Sequence, residues 1–303
     1  MAVEEKSILQ FVAINIGSNA VRLLISNVFE TPTEPIFKKA ELFRLPVRLG
    51  DNSFIDGKIS PEKTDKLLMA MRAYKELLGI YNPLTYRVCA TSAMREATNS
   101  QDVIDRIYKE TQLNVEIIDG KTEADIIYSN HVAENLDKNN SYLYIDVGGG
   151  STEVSLFSKN KIVASRSFRI GTIRLLYNSV SKEYWNEFKD WVKDTTKGCK
   201  PIVAIGSGGN INKLFKMTGR KDNNYISYGK LKQMSDLLNT YTMDERIQLM
   251  DLNPDRADVI IPASKIYLTV MKIANIEKIY IPQIGLSDGM VRLLYEDYKR
   301  NQQ

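Results

Sequence analysis

Two carboxylates, Asp146 and Glu153, flank a run of three glycines and two hydroxyls, Gly148-Gly149-Gly150-Ser151-Thr152. Glycine lets backbone N–H groups turn inward and approach an anion closely. Ser151 and Thr152 add hydroxyl donors, and carboxylate oxygens are ligands for a hard cation. The combination points to a pocket for a phosphate group with its magnesium. A tight turn with a capping aspartate is the plainer reading of the same residues, and one glycine triplet does not choose between them.

Repetition does. The apolar run Tyr142–Ile145 reads as a buried strand entering this loop, and Glu153–Phe157 as the strand leaving it. Near the N-terminus Phe11–Ile16 leads into Gly17-Ser18-Asn19, followed by a second strand from Val21 to Val28. Downstream, Ile202–Ile205 enters Gly206-Ser207-Gly208-Gly209-Asn210, with a helix from about Ile211 to Met217. A site between two halves, clamped by a loop from each, accounts for all three turns together.

These loops resemble the two phosphate loops and the adenosine loop of the actin-like ATPase superfamily. Within it, the chain resembles the exopolyphosphatase / guanosine pentaphosphate phosphatase (Ppx/GppA) family. The resemblance runs through Leu45-Pro46-Val47-Arg48-Leu49-Gly50, the segment Ala90–Asn99, Ile117–Ala124, the Asp146 loop, Arg256–Ile260 and Gly285–Met290. It implies two actin-like (ribonuclease H-like) α/β domains with an interdomain active-site cleft. It also implies hydrolysis of terminal phosphate from inorganic polyphosphate or guanosine pentaphosphate, magnesium (or manganese) as cofactor, and a homodimer.

Residue by residue, the resemblance makes Glu123 the general base for water. Arg95 becomes a phosphate-facing arginine, whose planar fork suits that anion. Asp146 and Glu153 become metal ligands, joined by Asn15, where the family usually has aspartate. Asparagine keeps an oxygen ligand and loses the charge. Phosphoryl oxygens fall to Gly17, Ser18 and Asn19, to Gly148, Gly149, Gly150, Ser151 and Thr152, and to Gly206, Gly208 and Gly209. The third loop ends in Asn210 where the family commonly has threonine. Without the resemblance, Glu123 reads as a first-turn glutamate favoured by the helix dipole.

Composition narrows the classes. With 303 residues and a net charge of +4, the chain reads as a soluble protein of one large or two ordinary domains. No apolar run approaches the roughly 18 residues of a membrane span, and the first ten residues do not form a signal peptide. Cys89 and Cys199, far apart, fit a reducing cytoplasm. The single histidine, His131, excludes a two-histidine zinc site and the histidine–aspartate metal domain that longer family members carry; His131 itself reads as a surface residue of a polar helix, Thr122–Leu136. No lysine/arginine block is dense enough for a nucleic-acid arm. Shorter polyphosphates are the expected substrates of a chain without the extra domain.

The elements that position these residues alternate. Strands lie around Gly17 and at Ile36–Arg44, followed by a loop over Asp51–Gly57. A helix starts at Ser60-Pro61, with serine as N-cap and proline in the first turn, and runs to about Ile80. Strand Tyr86–Ala90, a helix from Gln101, and strand Val115–Ile118 complete the first half. The second half starts again with three strands, Tyr142–Ile145, Val154–Phe157 and Ile162–Phe168. Helices, a last strand at Lys278–Pro282 and a C-terminal helix from Asp288 follow. Domains are expected at 1–121 and 122–290, with 291–303 packing back on the first. Two other functions share this pattern: an ATP-dependent kinase or ATPase on the same fold, and a non-catalytic sensor of polyphosphate or an alarmone.

Overall fold

The structure, a computed structural model, describes residues 8–130, 137, 139–158, 161–199, 201–219 and 224–302. The chain divides into two units, one of Met1–Asp119 with Leu286–Gln303 and one of Gly120–Gly285.

The first unit opens with β1 (Leu9–Ile16), β2 (Val21–Phe29) and β3 (Ile36–Leu45), an antiparallel meander. β1 is buried along almost its whole length, so it reads as an unbroken apolar run, whereas the edge strand β3 carries charges. Next come α1 (Gly50–Asp56), α2 (Pro61–Tyr81), β4 (Thr85–Ala90), α3 (Ser92–Glu96), α4 (Ser100–Thr111) and β5 (Glu116–Ile117). The sheet order is β3-β2-β1-β4-β5, with β4 parallel to β1 and β5 parallel to β4. The α2 N-terminus is built as its sequence predicts: the Ser60 hydroxyl accepts from the Lys63 N–H and Pro61 occupies the first turn. The loop expected over Asp51–Gly57 is instead the helix α1. Its start has no side-chain cap, which hid it; Ser53 anchors it to the Ala93 carbonyl at 2.6 Å, and Gly57, at φ 69°, ends it.

Tyr74 of α2 lies in this core at 1 % exposure, its hydroxyl donating to the Val21 carbonyl at 3.0 Å. Burial pushes its pKa well above the usual 10.0, against the smaller opposing pull of Arg22 and Arg44. A raised folded-state pKa gives stability that is present below the unfolded value and lost as pH rises toward the folded one. Unfolding free energy is therefore expected to fall above pH 10 by up to about 1.4 kcal/mol per pH unit from this group. Chemical denaturation of wild type and Tyr74→Phe between pH 9 and 11 checks this; parallel pH profiles would refute it.

The second unit begins with α5 (Gly120–Tyr128), then β6 (Ser141–Val147), β7 (Thr152–Ser158) and β8 (Lys161–Phe168), again an antiparallel meander. Next are α6 (Thr172–Leu176), α7 (Lys182–Thr196), β9 (Ile202–Ser207), α8 (Gly209–Met217) and β10 (Tyr225–Ser227). The unit finishes with α9 (Tyr228–Thr240), α10 (Met243–Gln248), α11 (Pro254–Ala257), α12 (Ile260–Ile273) and β11 (Lys278–Tyr280). Its sheet runs β10-β11-β9-β6-β7-β8, with β9 parallel to β6 and β11 parallel to β9. Apart from the added edge strand β10, this repeats the strand order of the first unit. The chain ends in α13 (Leu286–Arg300), which belongs to the first unit. Of the helix expected over Thr122–Leu136, α5 accounts for the N-terminal part; His131 lies outside the described residues. No described helix is long and apolar enough to cross a membrane.

Candidate active site

In the second unit the ladder between β6 and β7 sets Asp146 directly opposite Glu153. Like charges facing each other across a strand pair are destabilising, so the position needs a compensating reason. Both side chains stand at the mouth of the Gly148–Ser151 turn. Glu123 joins them from the first turn of α5, and oxygens of the three carboxylates lie within 4.8 Å of one another. Glu123 and Glu153 are 8 % and 3 % exposed. The close approach depends on Gly120: a Cβ there would collide with the Ser167 side chain on β8. Ser167 in turn donates to Glu153 Oε1 at 2.7 Å and fixes its orientation. Oxygen-only, anionic donors packed this closely suit a hard divalent cation.

The turn between the carboxylates is held from behind. Gly148 N–H closes it on the Ser151 carbonyl at 2.9 Å. The carbonyls of Gly148 and Gly149 accept from the N–H groups of Thr172 and Ile173 at 3.0 and 2.9 Å, and the Gly150 carbonyl accepts from Arg174 Nε at 2.8 Å. The Thr152 hydroxyl donates to Ile170 O at 2.5 Å. This contact is so close that a Cβ on Gly171 would fall on the Gly149 carbonyl and within 2.5 Å of the Gly150 carbonyl carbon.

The third glycine loop lies beside Asp146. Gly208 sits at φ 103°, and a Cβ on it would come within 3.0 Å of Asp146 Oδ1. Tyr267 of α12, fully buried, donates its hydroxyl to Ser207 O at 2.5 Å. Burial, with the Asp146 charge as the next cause, raises its pKa well above 10.0, so it stands as a neutral donor. Arg256 donates to Gly209 O at 2.6 Å. A small recess is lined by Asp146 and Glu153 and by the aromatic rings of Tyr128, Tyr144 and Phe157.

In the first unit the Gly17-Ser18-Asn19 turn joins β1 to β2, with Gly17 N–H donating to Ala20 O at 3.2 Å. Ser18 and Ser92 share a hydroxyl–hydroxyl bond of 2.9 Å, which ties this turn to α3. Arg95, on α3, donates to Ile118 O at 2.6 Å. Asn15 is 8 % exposed, and its Oδ1 meets no hydrogen-bond donor among the described residues. A buried carbonyl oxygen in that state is an acceptor available to a cation or its water.

The structure thus brings Glu123, Asp146 and Glu153 together with the Gly148–Thr152 turn and the Gly206–Gly209 loop in one unit. It places Asn15, Gly17, Ser18, Asn19 and Arg95 in the other. Ser92, Ser167, Arg174 and Tyr267 carry the site without a sequence-level assignment. Ser92 was visible as part of the Ala90–Asn99 motif; the others gave no signal beyond ordinary strand and helix composition.

Comparison with known proteins agrees with this architecture. The model of the Ppx/GppA phosphatase family matches residues 41–297. The chain belongs to the Ppx/GppA phosphatase family. Exopolyphosphatase 1 of Mycobacterium leprae is 23 % identical over 300 residues, covering 92 % of this chain and 87 % of that protein. The bifunctional 3-dehydroquinate synthase/phosphatase of Fusobacterium nucleatum is 28 % identical over 274 residues; the match spans 82 % of this chain and only 41 % of that protein. Among solved structures, an exopolyphosphatase from Cytophaga hutchinsonii superposes with a TM-score of 0.83 at 24 % identity, covering 96 % of this chain and 98 % of the other. The Ppx/GppA family member of Aquifex aeolicus gives 0.73 at 23 %, with 97 % and 99 % covered. These likenesses show the actin-like two-domain fold of Ppx/GppA proteins.

Proposed function

We propose that this phosphoanhydride hydrolase removes the terminal phosphate from inorganic polyphosphate or guanosine pentaphosphate, with Glu123 as the general base. The observation that carries the reading is the trio of buried Glu123 and Glu153 with half-buried Asp146, beside a turn whose carbonyls are all tied back. Hydrolysis of a phosphoanhydride asks for charge neutralisation, in-line positioning and an oriented water. The N–H groups of Gly149, Gly150 and Ser151, with donors of Ser18 and Asn19, bind phosphoryl oxygens, and Arg95 adds a positive fork. Gly148, Thr152 and Gly17, whose donors go to Ser151 O, Ile170 O and Ala20 O, shape the turns. Gly206, Gly208 and Gly209 shape the third loop around Asp146.

Glu123 accepts a proton from water as the water oxygen bonds to the terminal phosphorus. The bridging P–O bond breaks, and its electron pair leaves with the shortened chain. Asp146 and Glu153 would hold magnesium, or manganese in its place, and Asn15 is the further oxygen ligand that the resemblance implies. When bound, such a cation neutralises the charge that develops on the phosphoryl oxygens. Relatives named exopolyphosphatase support polyphosphate as substrate. A guanosine-5'-triphosphate,3'-diphosphate pyrophosphatase from Vibrio parahaemolyticus, 22 % identical over 304 residues and matched over 60 % of its length, supports the guanosine compound. A homodimer is proposed on the family resemblance and is checked by light scattering.

The test is phosphate release from long polyphosphate, tripolyphosphate and guanosine pentaphosphate, with magnesium and with chelator. Magnesium-dependent release from at least one is the expected result. Binding without release under any divalent cation would favour the sensor reading, which Asn15 supports by lacking a charge where relatives of this fold usually carry aspartate; Asn15→Asp would then be the next variant.

A further inference from the structure

Three consecutive carbonyls of the phosphate turn are taken up by three consecutive residues, and only the last is met by a side chain. In a planar trans peptide the carbonyl of one residue and the N–H of the next point in opposite directions. Holding the Gly148, Gly149 and Gly150 carbonyls on α6 therefore turns the N–H groups of Gly149, Gly150 and Ser151 to the other side. Among the described residues none of these three N–H groups donates to a backbone carbonyl. Two of the three peptides are set by the backbone N–H groups of Thr172 and Ile173. The third, Gly150–Ser151, is set by Arg174 Nε.

Arg174 is 6 % exposed. A guanidinium buried to this degree is held by hydrogen bonds, and the Gly150 carbonyl takes one of them. The other unit repeats the device after its own third strand. The Asn19 carbonyl accepts from Arg48 N–H at 3.0 Å and the Ser18 carbonyl from Gly50 N–H at 2.9 Å. The tripeptides are alike, Val47-Arg48-Leu49 and Ile173-Arg174-Leu175. In the first unit the backbone of the arginine does what its side chain does in the second, and Arg48 adopts φ 58° to do so.

We propose that Arg174 is a positioning residue for phosphate binding: by taking the Gly150 carbonyl on its guanidinium, it aims the Ser151 N–H at the substrate's phosphoryl oxygen. The inference rests on the reading of this turn as a phosphate site. A lysine retains the charge but offers no planar fork in the same direction.

The experiment uses the full chain carrying Glu123→Gln to suppress turnover, with tripolyphosphate and magnesium as probe. Calorimetry gives affinity, and amide NMR follows Gly149, Gly150 and Ser151. In the parent, all three amides are expected to shift on adding tripolyphosphate. Adding Arg174→Met should weaken binding by about tenfold or more, the scale of one hydrogen bond to a charged group. It should abolish the Ser151 response while Gly149 and Gly150, held by backbone donors, still respond. A general loss of structure would remove all three together. Arg174→Lys should fall between parent and Arg174→Met, and it serves with the parent spectra if the methionine variant does not fold. Undiminished affinity in a folded Arg174 variant, or parent amides that ignore bound tripolyphosphate, would overturn the inference and leave the phosphate reading standing. A parent that binds no tripolyphosphate would overturn both.

Discussion

Glu123→Gln is expected to lower magnesium-dependent phosphate release by about 10²–10⁴-fold, the range of a lost general base. Glutamine keeps the length and one oxygen of the side chain, so the packing of α5 against β7 and β8 survives; what disappears is the ability to take a proton from water. Glu123 shares its neighbourhood with Asp146 and Glu153, all within 4.8 Å, so the same loss could arise through a missing metal ligand. Titration with magnesium separates the two. A base is not replaced by more metal, so the defect should persist at saturating magnesium. Asp146→Asn, which removes a ligand charge, should be partly restored there. Full recovery of Glu123→Gln at high magnesium would reassign Glu123 from base to ligand. Unchanged activity would move the base elsewhere.

Gly171→Ala is expected to produce the second largest effect, although a single methyl is added outside the acidic trio. The new Cβ would meet backbone atoms of Gly149 and Gly150 rather than the flexible end of a side chain. Either α6 or the phosphate turn must retreat. Overpacking of this kind costs about 1–3 kcal/mol of stability. A displacement of about 1 Å at a reacting centre can cost 10²-fold in rate. Gly79→Ala is the matching control. It lies in the last turn of α2 with open space around its Cβ, and replacing it should stabilise by a fraction of the roughly 0.5–1 kcal/mol that a mid-helix glycine costs. Urea unfolding and phosphate release on both variants check the pair. Equal behaviour of the two would show that the contact behind the turn is not rigid.

Much of this was legible because the signals are local. Strand–glycine–strand and strand–glycine–helix patterns located all three loops, and the resemblance supplied the family and the two-domain α/β fold. Asp146 and Glu153 could be read as a pair because the glycine turn between them makes them cross-strand partners. Legibility failed where structure rests on backbone groups. The grip of Thr172 and Ile173 on the turn uses N–H donors that every residue other than proline has, so no residue type announces it. α1 was missed because Leu49, at its start, offers no capping side chain. Tyr267 sits in an apolar helix where aromatic residues are ordinary core, and only its 2.5 Å bond to Ser207 O distinguishes it.

The first unit is assembled from both ends of the chain, which has a consequence for its synthesis. Phe11 of β1 packs edge-on against Tyr295 and Tyr298 of α13, at 6.1 and 5.9 Å between ring centres. Lys39 pairs with Asp288 at 2.8 Å, and Glu30 with Lys299 at 2.9 Å. On the ribosome, β1 to β5 emerge first but wait for α13, while the whole of Gly120–Gly285 is made in between. Domains generally fold as units during translation. The contiguous second unit can close as soon as β11 has emerged. The first leaves a face of its sheet bare until α13 has been made, with apolar surface exposed throughout that interval.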